Sequence, residues 1–252
     1  MLAKLNPWVS ALLFLAGAII LMDLSFLLVE PLVDHEAAQL ALAALVIIPP
    51  LLGISYGLDA DSCPTKTLSL RSLLSVETVK SLKYSAPMLV CLVLAVFFHS
   101  SEDILIGGWV SYLVGNLLHS CIIEELIFRS TLLRLFERRY SFLRAAVFSG
   151  MLFGLMHLNK AFVAKTDAQF NFALLRVCVS CASGVILAVL YKAHRYNLWV
   201  PVIFHFVING IGFFGASDSS TGMLVHLTGM LVSFAWILSE HYRAMSVAGA
   251  IK

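Results

Sequence analysis

From Gly107 to Leu133 the chain runs through Leu, Ile, Val, Gly and small polar residues, yet Glu124, Glu125 and Arg129 lie within that run. An apolar stretch of this length reads as a membrane span. Ionisable groups at membrane depth are costly, so they turn toward the bundle interior, find partners and mark functional sites. On a helix Glu125 and Arg129 are i and i+4, share a face and can pair. Glu124 is rotated from Glu125 by about 100°. It continues instead a stripe formed by Asn116 and Ser120, which leaves one carboxylate neutralised and the other free on a polar face. The competing reading is a buried ion-pair cluster that only holds helices together, since buried charge is weak evidence for stability.

Composition extends the membrane reading to the whole chain. Of 252 residues 60% are hydrophobic and 13% charged, with a mean hydropathy of +0.91. Soluble domains carry about 25% charged residues. The expectation is an all-α integral membrane protein, one domain over 1–252, in which nearly everything is span or short loop. A net charge of +2 is too small to suggest a nucleic-acid partner. Cys178 and Cys181 form C-x-x-C without the second pair of a zinc site, so they read as packing residues.

Apolar segments fall at about 7–33, 37–58, 85–99, 107–133, 143–163, 172–191, 198–214 and 223–238, which predicts eight transmembrane helices. The first is too long for a signal-peptide core and is expected to stay in the protein. Asp23 within it should face other helices. Pro49 and Pro50 should kink or break the second helix. Ser69 to Leu82 has the pattern of an amphipathic surface helix, and Asn159 to Asn171 reads as a polar loop. Gly150-x-x-x-Gly154 permits close helix approach. With the N-terminus inside, every inner link is basic, and the outer loops hold only Lys160 and Lys165. The positive-inside rule then places both termini in the cytoplasm. Compact loops and the absence of a targeting signal point to a multi-pass protein of a bacterial inner membrane.

Further polar residues recur within the later segments. His157 follows Phe153 by one turn in the fifth, and His205 and Asn209 are i, i+4 in the seventh. A lone histidine in an apolar helix is more often a satisfied core residue than a functional group. Two histidines, an asparagine and two glutamates on three spans, each well inside its span, are harder to assign to chance. A shared, buried polar cavity is expected, lined also by Asn116, Ser120 and Phe153.

Glu124-Glu125-x-x-x-Arg129, Phe153-x-x-x-His157 and His205-x-x-x-Asn209 stand in the order and spacing of the CPBP (ABI) family of intramembrane proteases. That family includes the type II CAAX prenyl endopeptidases and bacteriocin-related immunity proteases. The resemblance covers roughly 105–214. It implies an intramembrane endopeptidase in which Glu124 activates a water, with desolvation and nearby histidines tuning it as a base. His157 would help to hold that water. His205 and Asn209 would stabilise the oxyanion, and Glu125 with Arg129 would form the buried pair that orients the site.

The resemblance leaves the metal open, because the family is described both as metalloproteases and as metal-free glutamate proteases. Glu124, His157 and His205 are a set that can bind zinc with a position left for water. The motif H-E-x-x-H is absent and Asn209 is a poor zinc ligand, which favours a mechanism needing no cofactor. The implied partner is a membrane-anchored or lipidated protein or peptide within the bilayer. Alternatives are a proton-coupled transporter, whose paired discontinuous helices are not seen, and a non-proteolytic scaffold, whose mark would be a lost motif residue.

Overall fold

A computed structural model describes residues 6–29, 36–59, 73–98, 112–214 and 228–240. Among the described residues there is no strand. Helices lie on all eight predicted segments: α1 (Pro7–Val29), α2 (Glu36–Asp59), α3 (Val76–Phe98), a composite α4 over 112–137, α5 (Phe142–Leu155), α6 (Asp167–Ala193), α7 (Trp199–Phe214) and α8 (Thr228–Glu240). The stretches Pro7–Ser25 and Asp167–Ala193 are long and apolar enough to cross a membrane, and shorter apolar helices fill much of the rest. Large apolar side chains such as Leu12, Ile20, Leu45, Val93, Leu155 and Leu231 face outward. A soluble monomer seldom exposes such patches, whereas lipid-facing helices must.

The helix α4 is the axis of the bundle. Every residue from Leu126 to Leu133 is buried, Arg129, Ser130 and Thr131 among them. Its apolar residues share one cluster with Phe14 and Ala18 of α1, Ile47 and Leu51 of α2, Ala145 and Phe153 of α5, and Val202 of α7. Its winding is unusual. The main chain makes wide, π-helical turns over Tyr112–Ile122 and Leu126–Leu133, with one α-helical stretch, Ile123–Glu125, between them. Local π-helical turns are frequent at functional sites, and here the two glutamates occupy the α-helical interruption.

Helices α5 and α6 pack antiparallel at backbone distance. A Cβ added at Gly154 would lie 2.7 Å from Cys181 N and 2.7 Å from Val177 O. One added at Gly150 would lie 2.9 Å from Cys181 O and from Val185 N. The sequence G-x-x-x-G thus meets α6, and Cys181 packs into the space its glycines leave. Ser149 Oγ donates to Phe128 O at 2.7 Å and ties α5 to α4.

Several elements depart from the sequence reading for local reasons. The helix α2 is not broken at Pro49 and Pro50. Both prolines are on its exposed side, while Ile47 and Leu51 anchor the opposite face in the core. Residues 76–82, expected to form part of a separate surface helix, are the first turns of α3; 69–72 lie outside the described residues. The polar loop from Asn159 is shorter than expected. It holds a helical turn, Asn159–Phe162, and α6 begins at Asp167, where the Thr166 side chain accepts from Gln169 N at 3.2 Å. That N-cap satisfies a donor the first turn would otherwise leave bare. Asp23 is exposed on the outward side of α1 rather than turned to other helices. Residues 107–111 and 223–227 of the predicted spans fall outside the described residues.

At the polar end of α8 the Glu240 carboxylate accepts from Lys83 Nζ at 2.5 Å, Tyr84 Oη at 2.7 Å and Trp236 Nε1 at 2.9 Å. The hydrogen bonds from Lys83 and then Tyr84 hold its carboxyl at about 2, below the ordinary value of about 4.3. Burial, and secondarily the contact with Glu240, pushes the Tyr84 phenol up.

Two predictions follow from this packing. Gly154→Ala forces backbone apart rather than a flexible tip, so it should destabilise the purified protein by about 1–3 kcal/mol; an unchanged thermal melt in detergent would contradict the close approach. Glu240 has a depressed carboxyl, so its contribution is complete above about pH 5 and is lost as pH falls toward 2. The difference in Tm between wild type and Glu240→Gln should therefore be steady from pH 7 to about 5 and shrink below that. A difference that stays constant down to pH 3 would show that the latch does not form.

Candidate active site

The composite helix α4 sends its two adjacent carboxylates to different partners. Glu125 and Arg129 are both fully buried, and their Oε2 and Nε atoms lie 3.0 Å apart. The atoms are close enough for an ion pair, although Nε–H is not aligned on the oxygen as a hydrogen bond. Arg129 also donates from NH2 to Gly184 O of α6 at 3.3 Å, and its guanidinium sits 4.5 Å from the centre of the Phe153 ring. The arginine is therefore matched by charge, by a carbonyl and by an aromatic face.

The second oxygen of Glu125 is also used. Oε1 lies 2.8 Å from Nδ1 of His205, itself buried on α7. A carboxylate only accepts, so the partner assigns the proton to Nδ1. Helical spacing pairs Glu125 with Arg129 alone and does not reveal this second partner. It fixes the imidazole so that Nε2 points the other way, toward Glu124.

Glu124 is not a member of the ion pair. Its Oε2 is shielded from solvent and has no hydrogen-bond partner among the described residues. His205 is close by, with Nε2 at 3.8 Å from Oε2, while 19% of the Glu124 side chain remains accessible. A separation of 3.8 Å is too long for a direct hydrogen bond, but one small group placed beside both atoms can touch each.

Phe153 joins the remaining parts. Its buried ring is edge-on to His205, with centroids 5.6 Å apart, and edge-on to His157 at 5.2 Å. His157 is nearer a helix end than its position in the apolar run suggested. The α-helical winding of α5 stops at Leu155, and Met156–Leu158 tightens into a 3₁₀ turn. Its Nδ1 lies 3.0 Å from Phe153 O, so the ring is held against the main chain of its own helix.

Asn209, one turn after His205, is occupied by a different group. Its Nδ2 donates to Asn116 Oδ1 at 2.8 Å and approaches Cys121 Sγ at 3.8 Å. Asn116 in turn donates from Nδ2 to Phe206 O at 3.4 Å, which fixes the orientation of its amide. Cys121 Sγ reaches Asn116 Oδ1 at 3.4 Å, five residues along α4. The wide turns bring i and i+5 together here, so Asn116, Ser120 and Glu124 do not form one bonded stripe. Ser120 is half-buried and lies outside this network.

Glu124, His157 and His205 are the residues that could hold a metal. Among the described residues no three His, Cys, Asp or Glu side chains converge closely enough to hold an ion. His205 bonds Glu125 and His157 bonds a carbonyl through Nδ1, which is how metal-ligating histidines are held while Nε2 serves the metal. The separation of the three side chains is what does not fit a three-ligand zinc site.

Comparison with known proteins adds one finding. Residues 106–211 match the family model described as "Type II CAAX prenyl endopeptidase Rce1-like". No curated protein and no solved structure matches the chain. The matched range contains Glu124, Glu125, Arg129, Phe153, His157, His205 and Asn209. The family is one of proteases, and with its apolar helices the chain is a membrane protein. The matched segment, 106–211, carries every residue of the site and is similar to the type II CAAX prenyl endopeptidase Rce1-like family.

Proposed function

We propose that this protein is an intramembrane endopeptidase that cleaves a membrane-anchored or lipidated protein or peptide, with Glu124 as general base and no metal. The observation that carries the reading is the division of labour between neighbouring carboxylates. Glu125 is engaged by Arg129 as an ion pair and by His205 as a hydrogen bond, and Glu124 faces the other side of the same histidine with an unbonded, solvent-shielded oxygen.

The step balances with these residues alone. Water adds through its oxygen to the scissile carbonyl carbon while Glu124 takes its proton. The carbonyl oxygen becomes an oxyanion. On collapse the C–N bond breaks, and the leaving nitrogen takes that proton back from Glu124. His205 receives support from Glu125 at Nδ1 and presents Nε2 to the water or the oxyanion. Asn209 has one N–H held by Asn116. Its other N–H has only a thiol sulfur, a weak acceptor. A developing oxyanion is the stronger acceptor and would displace the sulfur. His157, positioned through Phe153, completes the water site.

The eight helices would each cross the membrane of a bacterial cell, as a single domain with its catalytic core at 105–214 and both termini in the cytoplasm. A proton-coupled transporter or a scaffold is the competing class, and neither requires hydrolysis.

Two experiments test the reading. Glu124→Gln should fold and melt like the wild type but lose cleavage by about 10²–10⁴-fold, the usual contribution of a general base. Glu125→Gln should instead cost about 3–5 kcal/mol, because it strands a buried arginine, and a second change, Arg129→Gln, should recover part of that stability without restoring activity. Full activity in Glu124→Gln would refute the mechanism. For topology, single cysteines placed at Lys160 or Lys165 in a cysteine-free background should react with an impermeant reagent only from outside the cell; reaction only from the cytoplasmic side would overturn the orientation.

A further inference from the structure

The oxyanion donor of the proposed reaction is a carboxamide, and a carboxamide has two ends of opposite polarity. Its NH2 and its carbonyl oxygen are nearly the same size, so Asn209 fits its place in either of two orientations. With the NH2 toward the site it stabilises an oxyanion, and with the oxygen there it repels one. Among the described residues the side-chain hydrogen bonds of Asn209 run to α4, to Asn116 Oδ1 and to Cys121 Sγ. The thiol can donate or accept, so it favours neither orientation. The choice falls to Asn116.

Asn116 is itself held at both ends. Its Oδ1 accepts from Asn209 Nδ2 at 2.8 Å and from the Cys121 thiol at 3.4 Å, and its Nδ2 donates to Phe206 O at 3.4 Å. The Phe206 carbonyl belongs to the main chain of α7 and only accepts, so it cannot reverse. If the Asn116 amide reversed, an oxygen would face that carbonyl and an NH2 would face Asn209 Nδ2. Both contacts would turn from attractive to repulsive, and buried polar groups would be left unpaired. Polarity is thus passed from the backbone of α7 to Asn116, and from Asn116 back to Asn209 on the same helix. The wide winding of Tyr112–Ile122 contributes to this arrangement. On an α-helix residues five apart point about 140° apart, whereas here Cys121 and Asn116 meet.

We propose that Asn116 is a positioning residue for the hydrolysis. It acts through Asn209, whose amide it sets with N–H rather than carbonyl toward the developing oxyanion. This inference rests on the protease reading and adds to it a residue outside the motifs that carry the resemblance. Its kinetic signature follows from when the interaction is made. The second N–H of Asn209 gains a strong acceptor only as the oxyanion forms, so losing the orientation lowers kcat and leaves KM in place. An Asn116 that merely joined α4 to α7 would show itself in stability instead.

The test uses the full-length protein in detergent and one internally quenched fluorescent peptide, the best-cleaved member of a library of membrane-anchored peptides. Asn209→Ala should lower kcat by about 10²–10³-fold, the usual cost of one oxyanion donor. Asn116→Leu, of similar volume but without either polar end, should lower kcat by about 10- to 100-fold, part of the cost of that donor, with KM little changed. Asn116→Asp, which keeps an acceptor facing Asn209, should recover part of that loss. The double variant Asn116→Leu/Asn209→Ala should be no slower than Asn209→Ala alone, because the first change acts through the second residue. Each variant is melted alongside, and if Asn116→Leu does not fold, Asn116→Ala takes its place in the same cycle. Losses that multiply in the double variant, a rise in KM at constant kcat, or an Asp variant no better than Leu would overturn the positioning role. Those results, with wild type active and Glu124→Gln silent, leave the protease reading standing. A wild type that cleaves no member of the library, with Glu124→Gln equally silent, overturns that reading and the inference with it.

Discussion

The bundle depends on the buried contact of Glu125 with Arg129. Both side chains are fully enclosed, and either charge alone in that position would be untenable in hydrocarbon. The pair therefore forces four helices into one arrangement. Arg129 needs Gly184 O on α6 and the Phe153 ring on α5, and Glu125 needs His205 on α7. Replacing such a pair with apolar residues is often neutral for stability. Its worth here is positional, because the histidine bonded to it also faces the free carboxylate, with Nε2 at 3.8 Å from Glu124 Oε2.

The glycines of α5 serve the same end by a different route. Arg129 reaches Gly184 O because α6 lies close, and α6 lies close because Gly150 and Gly154 carry no Cβ. A Cβ added at Gly184 would come within 2.7 Å of Gly150 Cα. In a membrane, where lipid competes equally well for apolar contact, such backbone proximity is a main source of helix association. The close α5–α6 contact and the guanidinium bond between α4 and α6 are thus one construction.

What the sequence disclosed divides along a physical line. The Glu125–Arg129 pair was legible because i, i+4 proximity is a local property of any helix. The meeting of Gly150 and Gly154 with another helix was legible from their spacing, though not which helix. The bond from His205 to Glu125 was not, since it depends on the rotation of α4 relative to α7. The link of Asn116 to Asn209 and Cys121 was hidden for another reason. It needs the wide turns of α4, and an apolar pattern this uniform carries no periodicity to reveal them. Thr166 with Gln169 three residues later was a readable helix start, obscured by the polarity of the loop around it.

Two adjacent glutamates in one span would be redundant if both served structure. Residues one apart on a helix point about 100° apart, so adjacency guarantees that a helix rotated to bury one carboxylate in an ion pair turns the other elsewhere. Here the rotation gives Glu125 to Arg129 and His205, and gives Glu124 the opposite side of the same imidazole. The charges of Glu125 and Arg129 cancel locally. That leaves Glu124 in a site whose only other fixed charge among the described residues is Arg176. A carboxylate that must gain and lose a proton benefits from this separation. It then faces an imidazole able to exchange protons with it, while the permanent cation on the same helix, Arg129, is already neutralised by Glu125.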